Sequence, residues 1–226
     1  MSLSYAIEAR SRYNAPGRPT ASVTGSDAVD LLDRMGVRMA FAKDEEVYGQ
    51  DEDADLIYRV VSGAIRTSRV MSDGRRQIGD FYYPGDLFGL EAGPEHRFSA
   101  EALCDGVILV LKRSALKAAG AAPELDRLIF TATLRELQRT QEHLLLLGRK
   151  TACEKVASFL AELAERRGSD MVDMPMCRQD MADYLGLTIE TVSRMLSQLQ
   201  GSSIVEFSGC RQFRIRNHDA LARLAD

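Results

Sequence analysis

The sequence predicts an α+β fold in three parts: an antiparallel β-roll or jelly roll, a long dimerisation helix, and a winged helix-turn-helix at the carboxyl end. Three observations point to it. Residues 37–113 break into short β-rich runs separated by turn residues such as Ser72-Asp73-Gly74 and Pro84-Gly85-Asp86. Residues 123–149 repeat apolar positions at alternating spacings of four and three. Cys177 to Gln200, reading CRQDMADYLGLTIETVSRMLSQLQ, spells two short helices across a glycine turn.

At 226 residues and 45% hydrophobic content, the chain is long enough for two modest domains with real cores. No apolar run approaches the roughly 20 residues that cross a bilayer, and the opening segment lacks the apolar block of a secretory signal, so a cytoplasmic location without a membrane partner is expected. The net charge of −4 makes general coating of nucleic acid improbable and assigns any DNA affinity to local Arg and Lys. No Ser-His-Asp set, catalytic carboxylate pair or metal constellation sits on a motif-bearing turn, which argues against an enzyme.

In chain order, residues 1–26 are polar, with Pro16 and Pro19 and no periodicity, and read as a flexible arm. Residues 27–121 read as the β-roll, with strands at Leu56–Val61, Ala64–Val70, Gln77–Tyr83 and Val107–Leu111. Residues 122–149 form the dimerisation helix, its seam made of Phe130, Leu134, Leu137, Gln141 and Leu144. A core helix within one subunit is the competing reading, and Leu145, Leu146 and Leu147 are expected to meet other protein. Residues 150–226 then form the DNA-binding domain, opened by an amphipathic helix from Thr151 to Arg167 that ends at Gly168.

Within that domain the first reader helix spans Arg178 to Leu185, with Met181, Ala182 and Leu185 inward and Gln179, Asp180 and Asp183 facing water. Gly186 ends it. Thr188 is an N-cap, and Ile189, Val192, Met195, Leu196 and Leu199 form the apolar stripe of the second helix. Its exposed Glu190, Ser193 and Arg194 share one face. Arg donates twice to guanine, Glu accepts from cytosine N4, Ser bonds base edges, and Ile189 is placed to touch a thymine methyl. Thr188, Thr191 and Arg178 are candidate backbone contacts. Residues 201–217 read as a wing hairpin around Ser208-Gly209, with Arg211, Arg214 and Arg216 as phosphate contacts. A charged solvated hairpin is the alternative for each part.

Cys104, Cys153, Cys177 and Cys210 include no CxxC pair, so free thiols rather than a zinc or iron–sulfur site are expected. Cys104 and Cys153 read as small core residues. Cys177, at the start of the first reader helix beside Arg178, is a candidate redox-sensitive thiol whose oxidation would repel DNA phosphate. His96 and His143 are lone histidines on polar stretches and read as solvated.

The order of β-roll, long helix and winged reader resembles the cyclic-AMP-receptor and FNR superfamily of bacterial transcription regulators, over nearly all of residues 27–226. The most specific passages are Tyr83-Pro84-Gly85-Asp86-Leu87-Phe88-Gly89-Leu90, Leu144 to Lys150, and Asp183-Tyr184-Leu185-Gly186-Leu187-Thr188 through Glu190-Thr191-Val192-Ser193-Arg194. The Glu-x-x-Ser-Arg set is similar to the FixK-like branch. The resemblance implies a cyclic-nucleotide-binding-like β-roll and a homodimer on a palindromic promoter site of double-stranded DNA, a TTGA-type inverted repeat. Glu190 and Arg194 would lie on its G·C pair and Ser193 on a neighbouring thymine. It also implies an activator that touches RNA polymerase through exposed β-roll loops, for which Asp73, Arg75 and Arg76 are a candidate surface.

The chain departs from that family in two places. No cysteine precedes Cys104, whereas the FNR branch carries an amino-terminal cysteine cluster, so no iron–sulfur cofactor is expected. Cyclic-nucleotide binders place a Gly-Glu-Leu turn before an Arg-Ser or Arg-Thr pair; here Gly85-Asp86-Leu87 precedes Arg97-Phe98-Ser99, with Phe98 interrupting the pair. Thr131 and Thr140 are loose candidates for facing a purine. The expectation is a regulator with no cofactor; the alternative is an effector-gated regulator that binds a cyclic nucleotide or other small ligand in the β-roll.

Overall fold

The computed structural model describes residues 32–114, 122–169 and 171–226, with side chains from 126 onward in the long helix. The arm expected at residues 1–26 lies outside the described residues. Eight strands build the amino-terminal part: β1 (Val37–Phe41), β2 (Glu46–Tyr48), β3 (Leu56–Ser62), β4 (Ile65–Val70), β5 (Arg76–Tyr82), β6 (Leu87–Phe88), β7 (Ser99–Ala102) and β8 (Gly106–Lys112). They form two antiparallel four-stranded sheets, ordered β1-β8-β3-β6 and β2-β7-β4-β5. Alternate residues point between the sheets, where Val60, Phe88, Ala100 and Ile108 are fully enclosed. The four strands expected from β-rich runs are present; β2 and β6 are too short, at three and two residues, to leave a periodic signal.

Helix α1 (Ala122–Arg149) follows the roll, and α2 (Ala152–Arg167) begins a second unit. A capping box starts α2: the Thr151 amide donates to the Glu154 carboxylate at 2.7 Å while the Thr151 hydroxyl accepts from the Glu154 amide. Gly168, left-handed at φ 59°, ends it. Beyond a short β9 (Val172–Asp173) come α3 (Arg178–Leu185), α4 (Ile189–Gly201), the hairpin β10 (Val205–Ser208) and β11 (Gln212–Ile215), and a terminal α5 (His218–Ala225). β9 adds a third strand to that hairpin, in the order β10-β11-β9. Neither β9 nor α5 was expected from the sequence.

A single core joins these parts. Val156, Phe159, Leu160 and Leu163 of α2 meet Met181 and Leu185 of α3, Val192, Leu196 and Leu199 of α4, and Phe213 of β11. Truncating an enclosed aromatic such as Phe213 to alanine costs about 3–5 kcal/mol. The same core continues into the roll through Ile78, Phe81 and Tyr83, with Phe81 edge-on to Phe159 at 6.0 Å between ring centres. The winged unit is therefore packed against the β-roll through buried side chains. Leu146 is buried in that core, but Leu145 is 63% exposed, so only part of the Leu145–Leu147 run meets other protein in one chain.

Candidate nucleic-acid interface

The helix-turn-helix is set by short local devices. The α3 helix closes at Gly186, which sits at φ 61°, a left-handed geometry that a Cβ makes costly, and the Leu187 amide returns to the Ala182 carbonyl at 3.0 Å. Lys155, buried in the core, donates to the Leu185 carbonyl at 3.1 Å, placing a cation on the last turn of α3. Thr188 then caps α4, its hydroxyl accepting from the Thr191 amide at 3.3 Å.

On α4, Val192, Met195, Leu196 and Leu199 turn inward, while Ile189, Glu190 and Arg194 are exposed and Ser193 and Thr191 are half-buried. Glu190, Ser193 and Arg194 are brought onto one surface, as the three- and four-residue spacings require. Backbone amide bonding at the helix start, and then the Thr188 hydroxyl, hold the Glu190 carboxyl below its usual range. It is thus an acceptor at neutral pH, the form that takes a hydrogen bond from an amino group. Arg178, exposed on α3, reaches across to Ser193 Oγ at 3.3 Å. The first helix therefore touches the exposed face of the second.

The hairpin behind α4 is a wing, paired Val205 to Ile215 and Phe207 to Phe213. Its three arginines differ. Arg211 is exposed at the turn. Arg216 is half exposed and ion-paired to Glu206 on the opposing strand, so part of its charge is compensated. Arg214 is not a free positive tip: its Nε is buried, and the side chain lines a cleft of about 720 Å³ between α2, the wing and α5.

Cys177 is exposed at the N-terminus of α3, but its thiol is turned to Asp180, donating to Oδ2 at 3.2 Å, rather than to Arg178. Asp180, expected to face water, is 2% exposed. Its Oδ1 accepts from Arg66 of β4 at 2.9 Å and from Arg76 of β5 at 2.7 Å, and its Oδ2 from the Cys177 amide at 3.0 Å. Burial opposes the charge, yet the Cys177 bonds and the two guanidinium groups hold its carboxyl below the usual range. Asp183, also expected in water, accepts from Arg76 Nε at 2.7 Å and from Gln179.

This divides the loop considered as a polymerase surface. Asp73 and Arg75 bond each other on an exposed hairpin tip, whereas Arg76 is committed to α3. No local pattern announces that link, since the partners lie more than a hundred residues apart. Both lone histidines are corrections as well. His143 is stacked on Tyr184 at 4.0 Å between ring centres, and its Nε2 bonds the Tyr184 carbonyl at 2.7 Å. His96 is 1% exposed and stacked on Tyr48, with neither ring nitrogen hydrogen-bonded among the described residues. An aromatic partner far along the chain provided a burial site that no periodicity could signal.

Along α1, Phe130, Leu134, Leu137 and Leu144 are 49–70% exposed and Gln141 is exposed, a continuous apolar seam that nothing in one chain covers among the described residues. Between α1, the roll and α3 lies a cavity of about 440 Å³. Gly89, Leu90, Glu91, Arg97, Phe98, Glu136, Arg139 and Thr140 are part of its wall; Thr131, Gly85 and Asp86 are not. Asp86 instead accepts from the Tyr83 amide and from Arg166, so the Gly85-Asp86-Leu87 turn braces the roll against α2. The cavity wall carries charges of both signs: Asp80, Glu91 and Glu136 line it with Arg139, which is ion-paired to Asp80 at 3.0 Å, and with the exposed Arg97. Among the described residues, no group of three His, Cys, Asp or Glu side chains is placed to hold a metal ion, and no helix is long and apolar enough to cross a membrane.

Residues 154–224 match the family of Crp-like helix-turn-helix domains and residues 38–121 that of cyclic nucleotide-binding domains. The chain is 44% identical to the nitrogen fixation regulation protein FixK of Azorhizobium caulinodans over 220 residues, 94% of this chain and 89% of that protein. It is 41% identical to the protein of the same name from Rhizobium meliloti over 182 residues, 80% of this chain and 83% of that one. The solved structure of FixK2 from Bradyrhizobium japonicum superimposes with a TM-score of 0.80 at 50% identity, covering 84% of this chain and 98% of the other. With the reader helices, wing, roll and long helix in place, the chain belongs to the Crp/FNR family of DNA-binding transcription regulators, in its FixK-like group.

Proposed function

We propose that this regulator binds a TTGA-type inverted repeat in promoter DNA as a homodimer and activates transcription there, in the cytoplasm, through contact with RNA polymerase. The observation that carries this is the single exposed face of α4 formed by Glu190, Ser193 and Arg194. Arg194 and Glu190 read the G·C pair of each half-site, Ser193 and Ile189 a neighbouring thymine, and Thr188, Thr191, Arg178 and Arg211 hold phosphates. Arg216 contributes there to the extent that its bond to Glu206 opens, and Arg214 supports the wing from behind. The apolar seam on α1 supports the two-fold axis, because a palindrome demands two readers held in fixed relation. Residues 27–121, 122–149 and 150–226 serve as roll, dimer helix and reader. The exposed Asp73–Arg75 tip is the surface offered to polymerase.

Activity on this reading requires neither an iron–sulfur centre nor a cyclic nucleotide; the three carboxylates in the cavity wall and the pairing of Arg139 with Asp80 support the latter point. Oxidation of Cys177 weakens binding, by placing negative charge beside phosphate and by displacing the thiol from Asp180. The test is titration of the full chain with duplexes bearing the inverted repeat, one half-site, and random sequence. Specific binding about 10³-fold or more over random DNA is expected; equal affinity for all three overturns the reading. Peroxide treatment lowers the affinity of the wild type and leaves Cys177→Ser unchanged, whereas equal losses in both exclude the thiol.

A second reading, an effector-gated regulator, is supported by one feature: the 440 Å³ cavity is walled jointly by the roll, α1 and Tyr184 of α3. Calorimetry with cyclic AMP, cyclic GMP and a panel of metabolites decides it. A ligand-dependent rise in DNA affinity would establish this reading in place of the first.

A further inference from the structure

The first reader helix is gripped by the β-roll at its amino end. Arg66 of β4 and Arg76 of β5 converge on one oxygen of Asp180, at 2.9 and 2.7 Å, while Arg76 Nε takes Asp183 one turn further along at 2.7 Å. Arg66 is itself held by Glu101 of β7 through two bonds of 2.6 and 2.8 Å. The grip is thus anchored in three strands of one sheet. Its members are largely withdrawn from water, with Arg66 at 13%, Asp180 at 2% and Asp183 at 14% exposure, so salt screens it weakly. Each guanidinium bridges two carboxylates, Arg66 those of Glu101 and Asp180 and Arg76 those of Asp180 and Asp183, which fixes direction as well as distance. Because α3 and α4 share the buried Met181, Leu185, Val192 and Leu196, the grip on α3 also orients α4.

In a dimer, the angle between each reader and the two-fold axis determines which separation of half-sites both readers reach together. Changing that separation by one base pair moves a half-site by about 3.4 Å and turns it by about a tenth of a helical turn. A reader locked to its roll cannot follow such a shift. We infer that the Arg66–Arg76–Asp180–Asp183 cluster is the positioning device that makes this regulator select one half-site spacing. The inference rests on the dimeric reading above and adds to it a determinant that lies away from the DNA.

The experiment measures binding of the full chain to inverted repeats of the optimal spacing, to repeats one base pair shorter and longer, and to a single half-site. The wild type is expected to discriminate against the altered spacings by about tenfold or more. Arg76→Ala reduces that discrimination to about threefold or less, with half-site affinity unchanged, which also shows that the reader remains folded. Arg66→Ala acts in the same direction, and the exchange of Arg76→Asp with Asp183→Arg restores spacing selectivity. Full discrimination retained by Arg76→Ala, or an equal loss on every duplex including the half-site, overturns the inference. A wild type that binds the repeat no better than one half-site overturns the dimeric reading, and this inference with it.

Discussion

At the scale of single residues, exposure separates side chains available to DNA from those that hold the fold. Arg194 is exposed on α4 with no compensating ion pair among the described residues, while Arg216 and Arg76 carry similar charge and are engaged by carboxylates. Arg194→Ala is expected to cost about 1–3 kcal/mol on the specific repeat and to relax selection at the guanine, measured by titration against single-base variants. Arg211→Ala is expected to weaken specific and random DNA alike and to reduce the salt slope by about one. The reverse pattern, with Arg194 general and Arg211 selective, would exchange their roles. The exposed face of α4 was legible in the sequence because helical periodicity sorts residues only a few positions apart. Asp180 was not: the same periodicity put it outside α3, and it is outside, but β4 and β5 cover that side.

At the scale of elements, the two faces of α1 do different work. Its exposed positions 130, 134, 137 and 144 follow the four-three rule of a seam, while Glu136, Arg139 and His143 turn toward the roll and α3. Replacing Leu134 and Leu137 together by Asp therefore removes apolar contact without disturbing the fold of one chain. Light scattering is expected to report a monomer, with affinity for the inverted repeat falling to that for one half-site. A dimer surviving this change would place the interface elsewhere. The strand pairs show a similar division. Longer strands declared themselves by β-rich runs, but β2, β6 and β9 exist because neighbours supply their hydrogen bonds, and two or three residues contain no pattern to read.

At the scale of the molecule, the reader is held at both ends of α3, to the roll by the arginine cluster at one end and to α1 by His143 at the other. Burial lowers the pKa of His143 below its ordinary 6.5, against the opposite pull of the Tyr184 carbonyl bond and of Asp80. A folded-state pKa below the unfolded one means the stabilisation is fully present above about 6.5 and is lost as pH falls through the folded value. The difference in melting temperature between wild type and His143→Gln should hold steady above about pH 7 and narrow on acidification below 6.5. A difference independent of pH would show that the histidine joins the two units by shape alone.

The sequence by itself determined the order of roll, long helix and winged reader, the glycine that ends α2, the Thr188 cap of α4, the glycine turn, and the face that α4 presents. Each depends on residues within a turn or two of one another, where backbone sterics and periodicity act directly. Tertiary structure alone decided that Arg76 serves α3 rather than a surface loop, that Asp180 and both histidines are enclosed, that the Gly85 turn braces α2, and that the cavity wall brings carboxylates and arginines together. Those outcomes depend on which surfaces meet after the chain has folded back over a hundred residues, and a charged side chain reads the same in sequence whether it meets water or a buried partner.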